Sequence, residues 1–400
     1  MSKEIGRRAF LKQGALAGAI AATGLPALSA FAEVREQVTS RRSSMSGPVP
    51  ASPPEWQLDS QAFTLSEYEQ RPPALTFSAT DAASAQVWQR QVRAKLVELV
   101  GGFPEERVDL EPEILDRKGF GSYTREKVIF QTRKNLSAVG YLLLPKGRSY
   151  PAPALVCLPG HGPGVSGIVG IAEDGSQMPP GQGDPKPFAV QAVEQGYVTF
   201  ALEQLAFGER RDEAARSQGP RAYSCRPAAG AALLMGQTMI GWRVWDVMRT
   251  IDYLGTRPEV DTSRIGTLGF SGGGTTSLFA AALDERIQAG VVSGYFNTFR
   301  DSILSLSHCM CNYVPGILEH IEMYDLAGLV APRLLFIESG KRDRIFPVEA
   351  SRAAFAKAQE IYRVFGVPDR IGYEVWDGPH DFNGNGAFRF LAERFGPLQG

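Results

Sequence analysis

Polar and apolar positions change rhythm along the chain, and each change marks an element. Over residues 81–102, Val87, Trp88, Val92, Leu96 and Leu99 recur at helical spacing. Asp81 stands where a cap belongs, and Gly101-Gly102 ends the pattern. From about residue 124 the apolar pattern turns strand-like. REKVIFQT and SAVGYLLLP read as two strands joined through RKNL, a hairpin. APALVCLPG is a continuous apolar run, the pattern of a strand buried on both faces.

Beyond that run the patterns alternate. FAVQAVEQGY is helical, VTFALEQ a strand, MIGWRVWDVMRTIDYLGTR an amphipathic helix, RIGTLGF a strand and GGTTSLFAAALD a helix. IQAGVVSGYF and RLLFIESG are strands, PVEASRAAFAKAQEIYRVFG a helix, RIGYEVW a strand and GAFRFLAERF a closing helix. Such alternation predicts an α/β fold with a mostly parallel twisted sheet and helices on both faces. Ligands in such sheets bind beyond the carboxyl ends of the strands, so the residues just after each strand are the ones to inspect. The Gly/Pro-rich stretch from Gly160 to about Pro187 is long for a loop, which marks it as functional or mobile.

One strand end carries Gly269-Phe270-Ser271-Gly272-Gly273, the chain's single G-x-S-x-G. Between a strand and a helix this pattern makes a sharp turn that exposes the serine hydroxyl, with glycines where a Cβ would clash. The first helical N–H, that of Gly272, then points to where an oxyanion forms. A nucleophilic serine needs a base, and His380 follows the last strand. The base needs an orienting acid. Asp343 follows the preceding strand, with Asp377 and Asp381 as rivals, and its place on a neighbouring strand end favours it. The order Ser271, Asp343, His380 is the order of α/β hydrolases. The second oxyanion donor belongs in the loop LVCLPGHGPG. Either Pro159-Gly160 or His161-Gly162 fills that place. Pro163 has no N–H to donate, which favours His161, with Gly164 in reserve.

Taken with this order, LPGHGPG, FGER (207–210), DTSRIGTLGFSGGG, APRLLFIESGKRDRIFP and GPHDF make residues 80–395 resemble the α/β-hydrolase superfamily. The chain is most similar to its acetyl xylan esterase-like and dienelactone hydrolase-like branch of secreted bacterial esterases. SHCMCNYVPG (307–316) also resembles this branch. The resemblance implies ester hydrolysis, with deacetylation of sugar esters as its suggested form. Dienelactone hydrolases use a cysteine nucleophile, so Ser271 argues against that particular reaction. Rival readings are a prolyl-oligopeptidase-like peptidase and an exported binding protein on an inactive hydrolase fold. The peptidase family usually adds a propeller, and nothing here repeats. A lipase is weaker still, since no long apolar lid is apparent.

Tyr295, Tyr313 and Phe346 are expected as apolar substrate-binding walls. Glu209 and Arg210 read as an ion pair bracing a strand-end loop. His308, Cys309 and Cys311 look like part of a metal cluster, but zinc needs three or four ligands and the spacing offers no partner set. No metal and no cofactor is expected. Cys157 reads as a small buried hydrophobe, Cys309 and Cys311 are too close to bridge each other without strain, and a Cys225 disulfide to either is left open.

Composition narrows the partners. The chain has 400 residues and a net charge of −1, which gives no electrostatic footprint for nucleic acid or anionic membrane. The expected partner is a small-molecule or carbohydrate ester; the oligomeric state is left open. Arg7-Arg8, a mild apolar stretch and Ala30-Phe31-Ala32 read as a twin-arginine signal peptide over residues 1–32, implying a periplasmic or secreted protein without stable membrane insertion after cleavage. A Ser/Pro-rich linker over 33–55, a helical extension over 56–120 and an α/β-hydrolase catalytic domain over 121–400 complete the expected organisation.

Overall fold

The computed structural model describes residues 58–179, 182–183 and 186–395. The expected signal peptide and linker lie outside the described residues.

Helix α1 (Ser60–Gln70) carries no buried residue, whereas α2 (Ala82–Leu99) buries Ala85, Trp88, Gln89, Val92 and Leu96. Asp81 caps α2 as expected, through a reciprocal capping box with Ser84. Val87 departs from the expected stripe and is 55% exposed. The buried face runs through Trp88, whose Nε1 donates to Leu75 O at 2.7 Å.

Nine strands form one sheet in the order β1-β2-β3-β5-β4-β6-β7-β8-β9. They are β1 (Glu113–Gly119), β2 (Tyr123–Arg133), β3 (Leu136–Pro145), β4 (Ala152–Leu158), β5 (Val198–Leu202), β6 (Val260–Phe270), β7 (Ile287–Ser293), β8 (Leu334–Gly340) and β9 (Ile371–Trp376). The expected hairpin is β2–β3. Pairing is antiparallel from β1 through β3 to β5, and parallel from β5 to β9. β4 is buried at every position, as its continuous apolar run requires. Residues 160–187 are not wholly irregular: a short helix forms at Val165–Ile168, and Ile171 bridges Gln177.

Helices α3 (Phe188–Glu194), α4 (Cys225–Leu234), α5 (Met239–Leu254), α6 (Gly272–Leu283), α7 (Met323–Val330), α8 (Val348–Val364) and α9 (Asn385–Arg394) complete the layers. α5 is not the half-exposed amphipathic helix its sequence suggests. Its charged positions Arg243, Asp246 and Arg249 are buried. Asp246 is held by Arg210 at 2.7 Å, and Arg249 by Asp252 at 2.6 Å. Buried charges persist only when paired or hydrogen-bonded, and these polar positions disguise a helix buried almost all round. Among the described residues no helix is long and apolar enough to cross a membrane.

Candidate active site

Ser271 sits between β6 and α6 with φ +55° and ψ −121°. A positive φ is uncommon for a non-glycine residue and is held only when surroundings over-determine it. Here the close approach of the backbone does so. A Cβ on Gly269 would lie 2.0 Å from Gly273 O, and one on Gly273 1.9 Å from Leu158 O. Both flanking glycines are therefore obligatory for the turn. The Ser271 N–H donates to Ser293 O at 2.9 Å, tying the turn to the end of β7.

The Ser271 Oγ lies 2.8 Å from His380 Nε2, and His380 Nδ1 lies 2.6 Å from Asp343 Oδ2. A carboxylate oxygen accepts, so Nδ1 carries the proton and Nε2 is left to accept from the serine hydroxyl. The other carboxylate oxygen of Asp343 accepts from the N–H groups of Ile345 at 2.8 Å and Phe346 at 3.0 Å. The two rival acids lie elsewhere: Asp377 pairs with Arg342, and Asp381 with Lys186 at 3.2 Å. Phe270 and Phe346 stand 4.8 and 5.7 Å from the His380 ring and hold its orientation.

Three buried side chains without an expected role fasten the loops. Glu338 accepts from Ser293 Oγ at 2.7 Å and from the N–H groups of Asn383 at 2.8 Å and Gly384 at 2.7 Å. It thereby joins the β7 end to the His380 loop. Glu203, just after β5, accepts from Val165 N–H at 3.2 Å and Glu209 N–H at 3.3 Å. Its burial pushes its carboxyl up to about 8. Gln204 donates to Pro159 O and accepts from Thr276 Oγ1, linking the β4 loop to α6. A charged or amide residue ending an apolar strand, as in LLFIESG and VTFALEQ, is the sequence signal for these braces.

The His161 ring lies beside the turn, with Nδ1 3.0 Å from where a Gly272 Cβ would be. Among the described residues, neither the Gly272 nor the His161 N–H is spent on a hydrogen bond. Glu209 and Arg210 do not pair with each other. Lys127 holds Glu209 at 2.8 Å, and Arg210 is buried against Asp246.

The three expected walls separate. Phe346 reaches His380. Tyr295 has no exposed surface and packs beneath Phe346 at 5.4 Å, so it supports the site rather than lining it. Tyr313 lines an apolar cavity of about 290 Å³ with Tyr68, Phe299 and Ile303, and this cavity includes none of Ser271, Asp343 and His380. His308 Nε2 donates to Ser302 Oγ, 2.9 Å away, since that hydroxyl gives its own hydrogen to Ile345 O, and burial followed by the charge of His380 lowers His308 to about 4. It does not join the cysteines. Cys309 and Cys311 instead meet His161 and Cys225, the partners their spacing does not reveal. All four cysteines are unbridged in this structure.

A mostly parallel sheet in which β6 feeds a strained serine turn into a helix, with an acid after β8 and a histidine after β9, defines an α/β hydrolase. The chain belongs to the Abhydrolase family, whose pattern matches residues 63–374. It is 27% identical to YtaP of Bacillus subtilis (strain 168), provisionally named a hydrolase, over 69% of this chain and 89% of that one. It is 26% identical to the 4-O-methyl-glucuronoyl methylesterase of Phanerochaete carnosa (strain HHB-10118-sp), over 45% of this chain and 50% of that one. Among solved structures, a provisionally named acetyl xylan esterase from Bacteroides fragilis NCTC 9343 aligns with a TM-score of 0.69 and 19% identity, covering 84% of this chain and 90% of that one.

Proposed function

We propose that the protein is a serine esterase that cleaves short-acyl carboxylic esters of carbohydrates through an acyl-enzyme, and that it works after twin-arginine export. The observation that carries the reading is the unbroken series from Ser271 Oγ through His380 to Asp343, at 2.8 and 2.6 Å. His380 Nε2 takes the Ser271 proton as the oxygen attacks the ester carbonyl, and Asp343 orients the imidazole and balances its charge. The unspent N–H groups of Gly272 and His161 hold the oxyanion. The proton on His380 then passes to the leaving alcohol, and the acyl group remains on Ser271. Water, deprotonated by His380, attacks the acyl carbonyl and releases the acid.

An exposed aromatic ring near the serine turn favours a sugar alcohol over a long acyl chain. Tyr223 is 44% exposed and stands 4.9 Å from His161, an aromatic face beside the proposed oxyanion donor. Similarity to the Phanerochaete carnosa enzyme favours a second form of the same chemistry, in which the sugar is the acyl half as a uronate methyl ester. Initial rates on acetylated xylo-oligosaccharides, methyl glucuronate and long-chain p-nitrophenyl esters separate these. The reading predicts the highest kcat/KM on the acetylated sugars. Preference for methyl glucuronate selects the second form, and preference for long acyl chains overturns the carbohydrate reading.

A further inference from the structure

Beside the serine, on the far side of the His161 ring, four soft donors converge from three separate parts of the chain. His161 comes from the β4 loop, Cys225 from the first turn of α4, and Cys309 and Cys311 from the segment after β7. One ligand atom from each lies within 4.8 Å of all the others. Cys311 Sγ is 3.3 Å from His161 Nε2. A tetrahedral zinc ion with Zn–S of about 2.3 Å and Zn–N of about 2.0–2.1 Å sets its sulfurs about 3.8 Å apart and its nitrogen about 3.6 Å from each sulfur. The observed cage has that scale.

A second observation is the charge beside it. Arg243 is 2% exposed, and among the described residues no carboxylate pairs with it. Its guanidinium donates to Leu205 O at 2.9 Å and to Cys225 Sγ at 3.1 Å, and lies 4.3 Å from the Phe207 ring centroid. A buried guanidinium needs a counter-charge. Three thiolates, one neutral imidazole and one dication sum to a single negative charge, which Arg243 balances. Three thiolates with imidazole and no oxygen donor select a soft tetrahedral ion over calcium or magnesium.

We propose that His161, Cys225, Cys309 and Cys311 bind one zinc ion in a closed Cys3His site. Zinc binding displaces three thiol protons and bonds His161 through Nε2; nothing is oxidised. With four protein ligands no coordination position remains for water or substrate, so the ion is structural. It pins the β4 loop that carries the His161 N–H to α4 and to the segment after β7. The site itself stands apart from the esterase reading, since metal content and spectrum are read without substrate.

The test is elemental analysis of the full chain, purified with its thiols reduced and zinc supplied, followed by exchange of the zinc for cobalt(II). Expected are about one zinc per chain, and for the cobalt form a thiolate-to-metal charge-transfer band with the visible bands of four-coordinate cobalt. Chelation lowers Tm and added zinc restores it. Cys225→Ser and Cys311→Ser lose at least about tenfold in zinc affinity, whereas Ser271→Ala keeps full zinc with its activity gone. Should the cysteine variants fail to fold, the zinc count and cobalt spectrum of the natural chain decide alone. Less than about a tenth of a zinc per chain, a cobalt spectrum without thiolate charge transfer, or an intact mass showing a disulfide among the three cysteines overturns the proposal.

Discussion

Asp343 uses its two oxygens for two tasks. One accepts from the backbone of its own turn, and the other accepts from His380 Nδ1. Asparagine keeps the shape and the first task, but its amide can present an N–H to Nδ1. The imidazole then carries its proton on Nε2, facing Ser271, and cannot accept from it. Asp343→Asn is therefore expected to lower kcat about 10⁴-fold with Tm nearly unchanged. Asp377→Asn and Asp381→Asn remove only the pairs with Arg342 and Lys186, and are expected to stay within about twofold of the natural rate. Steady-state kinetics on the three variants decide; an equal loss in Asp381→Asn would reassign the acid.

At the scale of elements, the serine turn depends on β4, β6 and α6 approaching without side chains between them. Gly273→Ala forces a methyl onto Leu158 O and is expected to cost about 3 kcal/mol, read by urea unfolding. Gly230→Ala, inside α4 with open space at its Cβ, is expected to stabilise by up to about 1 kcal/mol. The elements around this turn were legible because burial on both faces of a parallel sheet writes a continuous apolar run, and the turn writes its glycines. β1 was not legible, since all seven of its residues are exposed and no alternation marks it. α1 buries nothing and so has no stripe, and Pro227 and the small residues of α4 conceal a helix. The meeting of Ser271, His380 and Asp343 was readable from the G-x-S-x-G turn, the strand-end positions and the order along the chain. The meeting of His161 with three cysteines was not, because it depends on how two loops and the start of α4 come together, which no local spacing encodes.

For the molecule as a whole, buried ionisable groups set the dependence of stability on pH. Burial raises Asp325 to about 6, Glu322 to about 7 and Glu203 to about 8. In each the folded state holds a proton that the unfolded state releases at lower pH, so the stabilisation is full below the unfolded value and is lost as pH rises through the folded one. His308, lowered to about 4, acts oppositely and takes stability away as pH falls below its unfolded value. The two effects oppose each other in mild acid. Above about pH 6.5, the unfolded histidine value, His308 no longer opposes the raised carboxyls. In the zinc-free protein, Tm is expected to fall from pH 6.5 to 8.5, and Glu203→Gln to flatten most of that slope. An unchanged slope in the variant would locate the titration elsewhere.

We propose that this assembly makes Ser271 a nucleophile, and trapping it with a covalent probe gives the decisive measurement. The full chain is treated with a fluorophosphonate probe and digested, and the adduct is located by mass spectrometry. Expected is one adduct per chain, on Ser271, formed in step with loss of p-nitrophenyl acetate turnover and absent from a folded Ser271→Ala variant. A labelled residue other than Ser271, or undiminished turnover in Ser271→Ala, would contradict it.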